Sequence, residues 1–155
     1  MKMYSLKPEV PGSIGSNSII EYENGRIKKI NHLEFVFDGW LGDELLTSHP
    51  SFIITDSLAR HILEQKLTGF TCDKNIVISK SDIFETLYPN RTLPEFSRLL
   101  IHGSVEIEND KIVNWSGHDF CLWKKVELIV TTRAFEELNK INGINNCEYV
   151  ELEIA

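Results

Sequence analysis

The sequence predicts an α+β fold: a single domain with a mixed or antiparallel sheet and a strand-helix-strand unit that occurs twice. In the first copy, Phe52-Ile53-Ile54-Thr55 leads into a helix over Asp56 to Lys66, then Leu67-Thr68-Gly69-Phe70 and an apolar run around Ile76-Val77-Ile78. In the second, Leu128-Ile129-Val130-Thr131 leads into Thr132 to Asn142, then Gly143-Ile144 and a last run from Cys147 to Ile154. The third observation is size: 155 residues, 42% hydrophobic and 25% charged, suit one domain that buries its own core. A solenoid needs at least about three repeats. The chain therefore divides into a β-rich part over 1–50, unit one over 51–79, a connecting hairpin region over 80–124 and unit two over 125–155.

Met1 to Leu6 and Ile19 to Tyr22 read as short strands on either side of a turn cluster of Pro8, Pro11, Gly12 and Gly15. Asn24-Gly25 is a hairpin dipeptide. Leu33, Phe35 and Phe37 alternate with Glu34, Val36 and Asp38, the period of a strand with one buried face. A turn through Gly39-Trp40-Leu41-Gly42 precedes unit one. In its helix Leu58, Ala59, Ile62, Leu63 and Leu67 form the apolar stripe, Thr55 or Asp56 supplies the cap, and Gly69 takes the left-handed stop. Ser81 to Leu87 reads as a short helix capped by Ser81 or Asp82 and ended by Tyr88-Pro89-Asn90. Arg98 to Glu108 and Lys111 to Trp115 form a hairpin across Asn109-Asp110, before a strand near Phe120 to Lys124. In unit two Ala134, Phe135, Leu138 and Ile141 form the stripe, with Thr131 or Thr132 at the cap and Gly143 at the stop.

With 16 basic against 23 acidic residues, the net charge of -7 argues against a general nucleic-acid binder, which needs clustered Lys and Arg. It suits a basic partner. No stretch approaches the roughly 20 apolar residues of a membrane span, and the N-terminus has no secretory pattern, so the expected compartment is the cytoplasm. Cys72, Cys121 and Cys147 lack disulfide pairing logic and zinc spacing, and read as free thiols.

Three clusters bear on chemistry. Asn114 to Trp123 brings His118, Asp119 and Cys121 close in sequence, the residue types of a thiol nucleophile with a base. On a strand, however, residues three apart point to opposite faces. The histidines are dispersed and offer no metal spacing, and Gly12-Ser13-Ile14-Gly15 lacks the lysine and helix of a phosphate loop. No cofactor is implied. The third cluster, Phe37 to Leu46, places Trp40 beside Asp43 and Glu44. It reads either as an exposed recognition loop, with Trp as anchor and acids for steering, or as a lid on the core with the acids opening a helical turn.

Trp40-Leu41-Gly42-Asp43-Glu44-Leu45-Leu46, Phe52-Ile53-Ile54-Thr55, Leu67-Thr68-Gly69-Phe70, Leu93-Pro94-Glu95-Phe96, His118-Asp119-Phe120 and Leu128-Ile129-Val130-Thr131 resemble a group of small bacterial proteins similar to the immunity proteins of polymorphic toxin systems. That resemblance, spread from about residue 33 to the C-terminus, implies an α+β protein that neutralises a cognate toxin C-terminal domain, as in contact-dependent growth inhibition. It implies action by binding rather than by catalysis.

An acidic chain gains steering toward a basic toxin. Trp40, Trp115 and Trp123 are the candidate anchors. Asp43, Glu44, His118 and Asp119 are the candidate polar contacts, joined by Glu148 and Glu151 if the last strand lies at a sheet edge. Two other classes are a small-molecule or regulatory domain with a pocket between the copies, and an enzyme built on His118, Asp119 and Cys121.

Overall fold

The computed structural model describes all of residues 1–155. The elements follow the chain as β1 (Lys2–Lys7), β2 (Gly12–Ile14), β3 (Ile19–Glu23), β4 (Arg26–Phe37), β5 (Leu45–Ser48), β6 (Ser51–Thr55) and α1 (Asp56–Glu64). They continue through β7 (Phe70–Asp73), β8 (Ile76–Lys80), α2 (Asp82–Leu87), β9 (Phe96–Ile101), β10 (Gly103–Ser104), β11 (Glu106–Glu108) and β12 (Lys111–Val113). The last are β13 (Phe120–Trp123), β14 (Glu127–Thr131), α3 (Thr132–Lys140) and β15 (Glu148–Ile154). The fold is α+β with mixed sheets.

One sheet of seven strands runs β10-β13-β14-β1-β15-β12-β11, and a four-stranded sheet runs β5-β6-β9-β7. In the third, β2 and β3 both pair with β4, and β8 lies parallel to its far half, matching Leu33 to Ile76 and Phe37 to Lys80.

The duplication is deeper than its apolar runs suggest. Each copy is a hairpin, a helix and a returning strand: β5-β6-α1-β7 in one and β13-β14-α3-β15 in the other. In both, the returning strand does not pair with the strand before the helix, because one antiparallel strand lies between them. That strand is β9 in the first copy and β1 in the second. The equivalent strand thus follows unit one but opens the chain for unit two. The expected boundary at 79 is accordingly corrected. The strand that returns from α1 is β7, whereas the run at Ile76-Val77-Ile78 leaves to join β4 in another sheet.

The helices form for the same local reasons. Thr55 accepts from the Leu58 N–H at 3.1 Å and Thr131 from the Ala134 N–H at 3.2 Å, each closing an otherwise open donor of the first turn. Each cap hydroxyl also donates to a carboxylate just before the hairpin, Thr55 to Glu44 at 2.6 Å and Thr131 to Asp119 at 2.8 Å. The backbone repeats the match, since Thr55 N–H bonds Glu44 C=O and Thr131 N–H bonds Asp119 C=O.

The helix stops differ from the expected glycines. Lys66 (φ 58°) and Asn142 (φ 56°) take the left-handed conformation, and the next N–H groups, of Leu67 and Gly143, return to Ile62 and Leu138 C=O. Gly69 (φ 93°) serves where the copies meet, since a Cβ there would lie 2.4 Å from Phe120 O and 2.6 Å from His118 Cβ.

The largest core lies between the copies. Leu58, Ala59, Ile62 and Leu67 from the first pack with Leu128, Val130, Ala134, Leu138 and Ile144 from the second. Truncating a fully buried leucine such as Leu58 or Leu138 costs about 2–5 kcal/mol by transfer and cavity effects. The expected stripe is corrected at Leu63, which is 59% exposed, while Glu137 and His61 occupy the helix-helix contact instead. A second core holds Leu33, Phe35, Phe37, Ile53, Phe84 and Phe96, and a third holds Met3, Val105, Ile112, Cys121 and Ile129.

Three further expectations change. Gly12 to Ile14 is strand β2 rather than a turn, and a Cβ on Gly12 would fall 1.8 Å from Val36 O. The hairpin across Asn109-Asp110 joins only β11 and β12, because Phe96–Ile101 pairs with β6 and β7 and the chain changes sheets at His102. Asp43 and Glu44 open no helical turn but lead into β5.

Candidate functional site

The tryptophan loop is a lid. Trp40 packs edge-on to Phe96 with ring centroids 6.2 Å apart and donates its indole N–H to Asp43 O at 2.8 Å. Arg91 lies over it at 4.9 Å and donates to its carbonyl. Glu9, held above the usual carboxylate range by burial, accepts from Leu41 N–H at 2.7 Å and fastens the loop from below. The exposed residue of the segment is Leu41, 71% accessible, not Trp40.

Four of the expected contact acids and rings are likewise structural. Asp43 is 0% exposed and grips Asn146 through its backbone N–H at 2.8 Å and its side-chain amide at 2.9 Å. Glu44 and Asp119 are the paired clamps of the helix caps, and Asp119 also accepts from Thr68 N–H at 2.9 Å. Trp115 packs on the third core and donates to His118 O at 2.9 Å.

Cys121 and His118 form no catalytic pair. The wholly buried Cys121 thiol donates to the His118 carbonyl at 3.3 Å, the imidazole lies in solvent, and burial pushes the thiol up, the reverse of an activated nucleophile. Nowhere do three or more His, Cys, Asp or Glu side chains gather as a metal site would require. Trp123 is half-buried against the third core, with the Lys124 ammonium 4.7 Å over its ring.

Glu148 and Glu151 remain exposed, and their strand has an open side. β15 pairs with β1 from Glu148 to Glu153, whereas only Glu153 and Ile154 pair on the other side, with Lys111 and Ile112. The edge from Glu148 to Leu152 is therefore open. Tyr149 (54% exposed) and Val150 (58% exposed) stand on it between the two glutamates.

Tyr149 is held in place rather than loose. Its ring sits 4.9 Å from Phe135 of α3 and 6.0 Å from Tyr4, and these two stack at 4.0 Å. Glu151 pairs with Lys2 at 3.1 Å and, by hydrogen bond and charge, holds that ammonium above its ordinary range. The arrangement is a preformed aromatic ledge on an acidic strand.

Tyr149 and Val150 are absent from the residues that sequence reasoning selects. A signal existed: Val150, Leu152 and Ile154 alternate with Tyr149, Glu151 and Glu153, so the period places Tyr149 in the row of acids. Comparison with models of protein families, with curated proteins and with solved structures finds no match for this chain. No helix is long and apolar enough to cross a membrane.

Proposed function

We propose that this chain is an immunity protein that binds a basic toxin domain through the ledge of β15 and thereby occludes the toxin's working surface. The observation that carries the reading is the open edge from Glu148 to Leu152, with Tyr149 and Val150 exposed between glutamates. An anchored aromatic supplies contact area at little cost in conformational entropy, and the acids steer a cationic partner. Free main-chain groups along the edge add directional bonds. The resemblance to immunity proteins and the net charge of -7 favour the same partner chemistry. Such a protein acts in the cytoplasm, where the toxin would otherwise reach its target.

The test is co-purification with the C-terminal domain encoded beside its gene, followed by calorimetry. A stoichiometric complex with nanomolar affinity, about -12 kcal/mol, is expected. Recovery of the chain alone in the presence of folded toxin domain contradicts the proposal.

A further inference from the structure

A groove of about 350 Å³ opens where the β3-β4 hairpin overhangs the β6-β9 pair and the β13-β14 turn. Its apolar lining includes Phe52, Ile101 and Leu122, so it touches both copies of the repeated unit. The volume falls in the range of small-molecule sites.

The charges around it run against those of the whole molecule. In a chain with more acids than bases, no Asp or Glu lines this groove, whereas Lys28, Lys29, Arg98 and Lys125 do. Arg98 is committed to the scaffold: Nε and Nη2 donate to Asp73 at 2.8 and 2.7 Å, and Nη1 donates to Ile30 O at 2.6 Å, tying the hairpin over the sheet. Lys28, Lys29 and Lys125 are exposed and enter none of the molecule's ion pairs. These three border the apolar cleft with no ion pair of their own, Lys29 standing opposite Glu21 across the β3-β4 ladder.

The turn that supplies Lys125 is a second, independent observation. Trp123 O and Val126 N–H close it at 3.2 Å, with Lys124 (φ 53°) and Lys125 (φ 64°) both left-handed. The connection has three residues, since Trp123 pairs with Glu127, and Lys124 and Lys125 hold conformations that any Cβ makes costly. The shorter β3-β4 turn, with two residues between Glu23 and Arg26, is left-handed at both positions too, but there they are Asn24 and Gly25. Lys66 takes the same conformation at the α1 stop, so what is particular to the groove is two successive left-handed lysines.

We propose that the groove binds an apolar monoanion, a medium-chain carboxylate whose tail lies on Phe52, Ile101 and Leu122 and whose head meets Lys28, Lys29 and Lys125. A chain rather than a nucleotide fits, because the other polar side chains along the groove are only Ser51 and His102. The site shares no residue with the β15 ledge, so it stands or falls apart from toxin binding.

The test titrates the full chain with sodium decanoate, below its micellar concentration, and with decyltrimethylammonium as the cation bearing the same tail. Single-site binding of decanoate alone is expected, weakened about tenfold by Lys29→Glu and by Lys125→Glu. A variant carrying Lys124→Asn and Lys125→Gly relaxes the turn. It should melt about 2–4 °C higher while binding decanoate more weakly. The proposal is overturned by unsaturable titration, by equal binding of the cation, or by undiminished binding in the charge-reversed variants. It is also overturned if binding is seen only to phosphatidylglycerol vesicles, which would assign the lysines to a lipid surface.

Discussion

His61 Nε2 lies 2.8 Å from Glu137 Oε2, and the two residues, 76 positions apart, hold the same place in their helices, the sixth in each. Equivalent residues of the duplicated unit thus meet where α1 packs on α3, and the contact marks the seam between the copies. Lys140 and then His61 hold the Glu137 carboxyl below the usual carboxylate range. A group whose native pKa is depressed adds stability above its unfolded value and loses it as pH falls through the native one. Stability should therefore fall on the acid side, below the ordinary carboxylate range, with a shallower fall in Glu137→Gln. Urea unfolding across that range checks it, and identical profiles would contradict it.

The helix caps should be equal in cost. Thr55→Val and Thr131→Val each remove an acceptor for a first-turn N–H and a donor to a carboxylate, at about 1–2 kcal/mol apiece. Thr→Ser keeps both bonds. Urea unfolding of the two valine variants checks the symmetry, and a cost confined to one copy would contradict it.

Asp43 should prove a stability residue. Asp43→Ala leaves the Asn146 donors without their charged acceptor and should cost about 1.5–3 kcal/mol, measured by urea unfolding. Affinity per folded molecule for the proposed toxin partner should stay unchanged. A stable variant with weakened binding would return this loop to the interface.

Burial raises the thiol of Cys72 to about 11 and that of Cys147 to about 12, so both stay protonated where an unfolded thiol, near 8.5, ionises. The sign is opposite to that of Glu137: stability falls as pH rises from about 8.5 toward these native values. Alkylation of native protein should be slow at all three cysteines and fast in denaturant, as read by mass spectrometry. Rapid native labelling of Cys121 would reopen a thiol-based activity.

The duplicated unit was legible because its carriers are local. A threonine closing an apolar run, a nine-residue amphipathic helix and a following strand each leave a sequence mark. What escaped depends on contacts distant in the chain. Nothing near Ile76 says that it pairs with Leu33 rather than with its own unit, and nothing near residue 2 says that β1 takes the place in one copy that β9 takes in the other.

The same cause explains the site. Asp43, Glu44 and Asp119 look like surface acids until Asn146, Thr55 and Thr131 arrive from elsewhere to bind them. Val150 reads with Leu152 and Ile154 as a core residue until the strand that could cover its edge stops at Glu153 and Ile154.

The most direct measurement is amide hydrogen exchange of the chain with and without the toxin domain proposed as its partner. Protection gained on binding should centre on Glu148 to Leu152, and Val150→Glu should weaken the complex by about 2 kcal/mol or more with little change in stability. A tight complex that leaves those amides exchanging as in the free protein would contradict it.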